Sequence, residues 1–195
     1  MSVPSPQDSM TDEEIVTLSL REQSMFGHII ERYEAPLCRY IRRLGVQTVE
    51  DQQDVLQEIF IKVYRNLNGF DTSLKFSSWI YRIAHNEAIT WFRKQNVRPE
   101  GHLISESEDI LGFMKTNETD QEALFDIEVN AQMLNEALSR IDQKYKGVLV
   151  LRFFEHKEYE EISDILKIPI GSVGTLIHRG KRQLKEAIDP EQIRI

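Results

Sequence analysis

The stretch YEEISDILKIPIGSVGTLIHRGKRQL, residues 159–184, decides the fold. Its apolar residues recur at helical spacing on both sides of a short turn that contains Pro169, which predicts two helices. Ser163 is small at the point where two such helices approach each other closely. The second helix turns Val173 and Ile177 to one side, as a helix-turn-helix does when its second helix packs into a small core.

The opposite face of this second helix is polar and basic. Its candidate DNA contacts recur at helical spacing and are Ser172, Thr175, His178, Arg179 and Arg182. Arginine can pair with guanine through two hydrogen bonds, and hydroxyl or imidazole groups can reach phosphates. The alternative is a plain helical hairpin with a solvated basic face. The small residue, the proline-containing turn and the basic outer face together favour DNA binding.

Helical spacing also runs through the first half of the chain. Apolar residues step by three and four from Phe26 to Leu44, and Pro36 predicts a kink or a split into two helices. Thr48 followed by Asp51 is an N-terminal capping signal for the next helix.

Two further segments are assigned to helices. Ser77 and Ser78 can cap a helix that ends near Lys94. The apolar run 148–154 could be a strand, but the helical segments on both sides favour a buried helix. The sequence therefore predicts an all-α fold.

The charge is distributed unevenly along the chain. The 195 residues include 32 acidic and 24 basic ones, for a net charge of −8; residues 1–30 carry −4 and residues 96–128 carry −7, so the rest of the chain is slightly basic. This pattern predicts two small helical domains joined by a flexible acidic linker, the C-terminal domain being the helix-turn-helix. The predicted boundaries are 1–20 for a polar N-terminal segment, 21–95 for the first domain, 96–128 for the linker and 129–195 for the second domain. The alternative is one domain with a charged surface loop.

Several classes of protein are excluded by composition. The single cysteine, Cys38, rules out a disulfide framework and indicates a reducing compartment, which makes a cytoplasmic location the expectation. We expect no membrane insertion, because no apolar run approaches the roughly 20 residues of a transmembrane helix. The five histidines are scattered, and no nucleophile–base pair, phosphate-binding loop or metal-ligand spacing occurs. We therefore expect no catalytic residues, no metal, no cofactor and no enzymatic activity.

Three segments of the chain resemble conserved regions of one family, and they follow one another in the same order as in that family. EYEEISDILKIPIGSVGTLIHRGKRQL, residues 158–184, is similar to the fourth conserved region of bacterial extracytoplasmic-function (ECF) sigma factors, group 4 of the sigma-70 superfamily. DVLQEIFIKVYRNLNGF, residues 54–70, resembles the polymerase-binding helix and following loop of the second region. FSSWIYRIAHNEAITWFRK, residues 76–94, resembles the promoter-melting helix of the same region.

The resemblance implies three sets of contact residues. Those for core RNA polymerase are Asp54, Val55, Gln57, Glu58 and Ile61. Those for the −10 promoter element are Asn66, Asn68, Gly69, Phe70, Trp79, Arg82, Asn86, Trp91 and Arg93. Those for the −35 element are Ser172, Thr175, His178, Arg179 and Arg182. A solvated acidic helix face is the alternative for the first set, and a place in the core is the alternative for Trp79.

The implied function is that of a sigma factor. Such a protein binds core RNA polymerase, recognises the −35 and −10 elements and promotes DNA melting, here for a stress or envelope-type regulon. The implied partners are the core enzyme, promoter DNA and an anti-sigma factor, which in this family is often anchored in the inner membrane. The alternative is a stand-alone helix-turn-helix regulator that binds duplex DNA without polymerase.

Five positions depart from the usual family pattern. Gly174 and Leu176 stand where the recognition helix usually has lysine and arginine, and Lys167 stands where the turn often has glycine. Thr90 and His85 stand where the promoter-melting helix usually has an acid and an arginine. We expect the promoter sequence read by this chain to differ accordingly.

Overall fold

The computed structural model describes residues 10–96 and 131–188. Within these two ranges the regular structure consists of helices, which confirms the predicted all-α fold. The predicted acidic linker, from residue 97 onward, lies outside the described residues.

The helices form two bundles that pack against each other. In chain order the α-helices of the described ranges are α1 Asp12–Ser19, α2 Phe26–Leu44, α3 Val49–Asn66, α4 Phe76–Asn96, α5 Ala131–Arg140, α6 Gln143–Phe153, α7 Tyr159–Leu166 and α8 Ile170–Ala187. Short 3-10 turns precede α2 and follow α3, at Gln23–Met25 and Leu67–Gly69. Helices α1–α4 form the first bundle and α5–α8 the second, with α4 lying against α7 and α2 against α6. None of the described helices is long and apolar enough to cross a membrane.

The predicted capping signal of α3 is confirmed, whereas that of α4 is replaced by another group. The Thr48 hydroxyl accepts a hydrogen bond from the backbone N–H of Asp51 at 3.1 Å. Helix α4 begins at Phe76, so the serines predicted to cap it lie inside the helix. The backbone N–H of Phe76 donates instead to the Glu13 carboxylate of α1 at 3.1 Å. A carboxylate near a helix N-terminus is also favoured by the helix dipole, so Glu13 links α1 to the start of α4.

Helix α2 continues through Pro36 as a single helix. Its apolar stripe, including Leu37, Tyr40 and Ile41, is fully buried. Burial of this stripe offsets the hydrogen bond that proline cannot donate.

The apolar run that could have been a strand is part of α6, as predicted. Residues Val148–Leu151 are no more than 1% exposed, because α2 covers one side of α6 while α7 and α8 cover the others. A helix enclosed in this way is apolar all round.

The helix-turn-helix is closed by specific groups in the turn. Lys167 ends α7 with a φ of 55°, in the left-handed region that favours glycine. The Ser163 hydroxyl donates to the carbonyl of Ile168 at 2.7 Å and fixes the turn from inside. Helix α8 then runs so close to α6 that a Cβ at Gly180 would lie 3.1 Å from Leu149.

Candidate nucleic-acid interface

A cleft of about 520 Å³ opens between the end of α3, the following 3-10 turn and one face of α4. It is lined by Lys62, Asn66, Gly69, Trp79, Ile83, Asn86, Glu87 and Thr90. Four of the residues predicted to contact the −10 element, two at the end of α3 and its following turn and two on α4, therefore meet at one place. They are Asn66, Gly69, Trp79 and Asn86.

The polar lining of the cleft offers both donors and acceptors. The Lys62 ammonium donates to the mostly buried Glu87 carboxylate at 2.6 Å, so each charge has a partner. The Asn66 amide donates to the backbone carbonyl of Lys62 at 2.7 Å, which orients that side chain at the rim. Asn86 is exposed on the facing helix. Amides, an ammonium and a carboxylate can together bond the edge of an unpaired base.

Trp79 both packs against the core and lines the cleft. Its ring centroid lies 5.2 Å from that of Phe70 and 5.6 Å from that of Phe76. Phe70 and Phe76 are buried, whereas Trp79 is partly exposed to the cleft. The two aromatic rings below it hold the indole in place, and Phe70 thereby supports the cleft without lining it.

The remaining predicted −10 contacts lie outside this cleft. Asn68 and Arg93 are exposed, the first on the turn beside the cleft and the second near the end of α4. Arg82 points to the second bundle, where it pairs with Asp164 at 3.5 Å. The Trp91 indole donates to the Asp51 carboxylate at 3.3 Å and packs on Phe92.

The loop that leads from the cleft to α4 is fixed by a carboxylate. The backbone N–H of Ser73 donates to Asp71 at 2.9 Å. This hydrogen bond favours the ionised form and lowers the pKa of Asp71 below its ordinary value. The Asp71 side chain therefore holds the loop next to the Gly69 turn.

The candidate polymerase-binding residues on α3 divide between surface and core. Asp54, Gln57 and Glu58 are exposed, and Ile61 is partly exposed beside them. Val55 is 4% exposed and packs in the first bundle. An acidic and polar helix face with one apolar side chain is thus accessible on α3.

The recognition helix α8 has the two faces that its periodicity predicts. Val173, Ile177 and Leu184 are buried against the other helices of the second bundle. The predicted −35 contacts are all at least partly exposed, with His178 and Arg182 the most open: Ser172, Thr175, His178, Arg179 and Arg182. Arg182 lies 3.9 Å from Glu186 one turn further along, a loose pair at the surface.

Sequence reasoning missed four residues of the cleft, namely Lys62, Ile83, Glu87 and Thr90, the last of which was noted only as a departure from the family pattern. The signal for Ile83 was available, because it follows Trp79 by one helical turn. The Lys62–Glu87 pair joins α3 to α4, and no local pattern in the sequence predicts a pair between residues on different helices.

Comparisons with known proteins match both described parts of the chain. The family models Sigma-70 region 2 and Sigma-70, region 4 match residues 29–98 and 131–184. The ECF RNA polymerase sigma factor SigW of Bacillus subtilis (strain 168) is 29% identical over 187 residues, which cover 93% of this chain and 98% of the relative. Two conserved regions in this order do not favour a stand-alone helix-turn-helix regulator.

Two solved structures share the fold. CnrH, determined in complex with the cytosolic domain of CnrY, has a TM-score of 0.65 at 19% identity, covering 93% of this chain and 99% of the other. The sigma factor RpoE from Bartonella quintana, determined in complex with the anti-sigma factor NepR, has a TM-score of 0.64 at 16% identity, covering 86% and 98%.

Proposed function

Because this chain belongs to the ECF sigma factors of RNA polymerase, we propose that its α4 cleft and the outer face of α8 divide promoter recognition between them. The first bundle, α1–α4, binds the −10 element and the core enzyme, and the second bundle, α5–α8, binds the −35 element. The protein confers promoter specificity on the polymerase and performs no catalysis of its own. Its work on polymerase and promoter DNA assigns it to the cytoplasm.

The −10 assignment rests on the convergence of Asn66, Gly69, Trp79 and Asn86 on one cleft. Opening a duplex costs a few kcal/mol for each unstacked base. Stacking on an aromatic ring returns about 1–3 kcal/mol per base, and amides bond the exposed base edges. The cleft offers one partly exposed indole and two asparagines, which suits an unpaired base better than an intact duplex.

The −35 assignment rests on α8. Its exposed face carries side chains that can reach bases and phosphates in the major groove, while its apolar face holds it on α6. Gly174 and Leu176 remove two positive charges that the family usually has here, so base contacts by Arg179 and Arg182 carry more of the recognition.

The polymerase assignment rests on the exposed part of α3. Asp54, Gln57 and Glu58 lie within about one helical turn of one another beside the partly exposed Ile61. A basic and polar partner surface would complement this face. An anti-sigma factor is a further partner, supported by the fold shared with RpoE, which was determined with the anti-sigma factor NepR.

A transcription assay with purified core polymerase and a promoter library tests the proposal. The double variant Asn66→Ala with Asn86→Ala should lower transcription by about tenfold or more, if each amide contributes about 1 kcal/mol to base contacts. Both side chains are exposed, so the melting temperature should stay near that of the parent. Gln23→Ala with Gln47→Ala is the matched control, because both are exposed amides on the same bundle, outside the cleft and outside the polymerase-binding face of α3.

Full transcription by the double variant would remove the cleft from promoter recognition. Binding to duplex promoter DNA with no effect on polymerase would instead favour a stand-alone regulator.

A further inference from the structure

Helix α1 comes early in the chain, yet it meets α4, the helix that carries the cleft, at the point where α4 begins. It lies within the polar N-terminal segment predicted for residues 1–20, and the Sigma-70 region 2 match begins only at residue 29. Ile15 and Val16 are 2% and 0% exposed, and they anchor α1 against α2 and α4. A helix outside the matched region is therefore built into the first bundle.

Two neighbouring acids of α1 bond different helices. The Asp12 carboxylate accepts hydrogen bonds from the Arg32 guanidinium at 2.7 Å and from the Tyr33 hydroxyl, which holds α1 on α2. Burial raises the pKa of Tyr33, so this phenol keeps its proton and remains a donor. With α1 held in this way, the Glu13 carboxylate reaches across to α4 and accepts the backbone N–H of Phe76 at 3.1 Å.

Phe76 connects this hydrogen bond to the floor of the cleft. Its ring is 0% exposed, and its centroid lies 5.3 Å from that of Phe70 and 5.6 Å from that of Trp79. On the other side the Tyr33 ring packs edge-on against it at 5.6 Å. The backbone N–H of Trp79 donates to the carbonyl of Lys75, so the indole belongs to the first turn of α4. A shift of that turn therefore moves Phe76 and Trp79 together.

We propose that Glu13 is a positioning residue for promoter recognition, because it fixes the first turn of α4 and with it the orientation of the Trp79 indole on which an unpaired base stacks. The first N–H groups of a helix have no partner within the helix, so the acceptor that bonds them keeps the turn from fraying. A negative charge at this end is also favoured by the helix dipole. The inference rests on the proposed function at one point, the use of Trp79 in the cleft.

The test compares two neighbouring glutamates of α1 in the full chain. Glu13→Ala removes the acceptor at the start of α4. Glu14→Ala is the matched control, because Glu14 accepts the backbone N–H of Thr11 at 2.8 Å and so caps α1 itself. Each substitution removes one carboxylate and one capping hydrogen bond. Glu13→Gln keeps a carbonyl oxygen that can accept the Phe76 N–H, and it serves as the rescue variant. Urea titration establishes that all three variants fold.

The first readout is the ¹⁹F NMR spectrum of protein labelled with 5-fluorotryptophan. The chain has two tryptophans, and Trp91 near the other end of α4 is the internal reference for Trp79. We expect Glu13→Ala to shift or broaden the Trp79 resonance and to leave that of Trp91 in place, whereas Glu14→Ala and Glu13→Gln should change neither. A Trp79 resonance that Glu13→Ala leaves unchanged, or that Glu14→Ala changes equally, would overturn the proposal.

The second readout is transcription with purified core polymerase. Glu13→Ala should lower it about three- to tenfold relative to Glu14→Ala, the range expected for loss of a helix cap, and Glu13→Gln should restore most of it. Equal transcription by Glu13→Ala and Glu14→Ala would also overturn the proposal, even with a shifted Trp79 resonance, since the orientation of the indole would then not matter.

Failure of this inference is distinguishable from failure of the promoter assignment. The transcription assay on Asn66 and Asn86 changes neither α1 nor Trp79, so full transcription by that double variant removes the cleft itself from promoter recognition. An unchanged Trp79 resonance in Glu13→Ala removes only the link from α1 to the cleft.

Discussion

Helix α4 presents two faces of opposite character. The cleft face carries Trp79, Ile83, Asn86 and Thr90 around an open volume. The packed face carries Ser77, Tyr81, Arg82 and His85, whose partners come from α2, α6, α7 and the loop between α6 and α7. Between them runs a third stripe of fully buried residues, including Phe76, Ile80 and Ala84. One helix therefore serves the core, a candidate ligand cleft and a contact between bundles.

The comparison of the two faces of α4 shows that polar residues alone do not identify which face of a helix binds a ligand. Both faces contain aromatic, amide, hydroxyl or charged side chains at the same helical spacing. What separates them is the source of their polar partners. On the packed face these come from other helices and from the loop between α6 and α7, whereas Asn86 on the cleft face is exposed to solvent. Arg82 and Asn86 are one turn apart, yet Arg82 has a protein partner and Asn86 is exposed.

The largest expected effect comes from removing the stripe that holds both faces in place. Ile80 is 0% exposed in the first bundle. Ile80→Ala should lower the free energy of unfolding by about 2–5 kcal/mol, the usual cost of truncating a buried aliphatic side chain. Urea titration followed by circular dichroism measures this change.

Ile83→Ala is the matched control on the cleft face. Ile83 is only partly buried at the cleft wall, so the same truncation should cost less than half as much. A cost for Ile83→Ala equal to that of Ile80→Ala would mean that the cleft is closed and packed in solution, and the comparison of the two faces would fail.

The packed face should also make stability depend on pH through His85. Its ring contacts the Tyr40 hydroxyl at 3.0 Å, and burial lowers the pKa of His85 from 6.5 to about 4. Between these pH values the unfolded chain binds a proton that the folded chain does not bind. The contribution of His85 is therefore fully present above pH 6.5 and is lost as the pH falls toward 4, by up to about 3 kcal/mol.

The carboxylates of the chain titrate in part of the same range, so a variant is needed for comparison. His85→Gln does not titrate and can still hydrogen-bond Tyr40. Its stability, measured by urea titration from pH 7 to pH 4, should fall less steeply than that of the parent. Parallel curves would show that His85 is solvated and that the packed face is loose.

The sequence predictions succeeded for features set within one helix and failed for features set by residues far away in the sequence. The faces of α8 were predictable because Ile177 and Arg182 belong to one helix, whose periodicity sorts buried from exposed positions. The start of α4 was not predictable, since its cap is Glu13, a residue far back in the chain. The same holds for the partners of Arg82 and Trp91, which lie on other helices. Local pattern identifies a helix face, and tertiary packing decides what covers it.

The smallest expected effect compares two helical glycines that differ in the space around them. Alanine is favoured over glycine inside a helix by about 1 kcal/mol. At Gly174 of α8, a Cβ would lie 3.6 Å from the Tyr159 ring, an ordinary contact, so Gly174→Ala should raise stability by about 0.5–1 kcal/mol. At Gly147 of α6, a Cβ would lie 3.1 Å from Cε1 of His85 on the packed face of α4. Gly147→Ala should therefore gain less than Gly174→Ala or lose stability, because the imidazole must move. A double-mutant cycle with His85→Ala measures this coupling, because Gly147→Ala should show the full helix benefit once the imidazole is absent.

Equal gains in stability at both glycines in the parent chain would show that His85 moves freely away from α6, contrary to a tightly packed face.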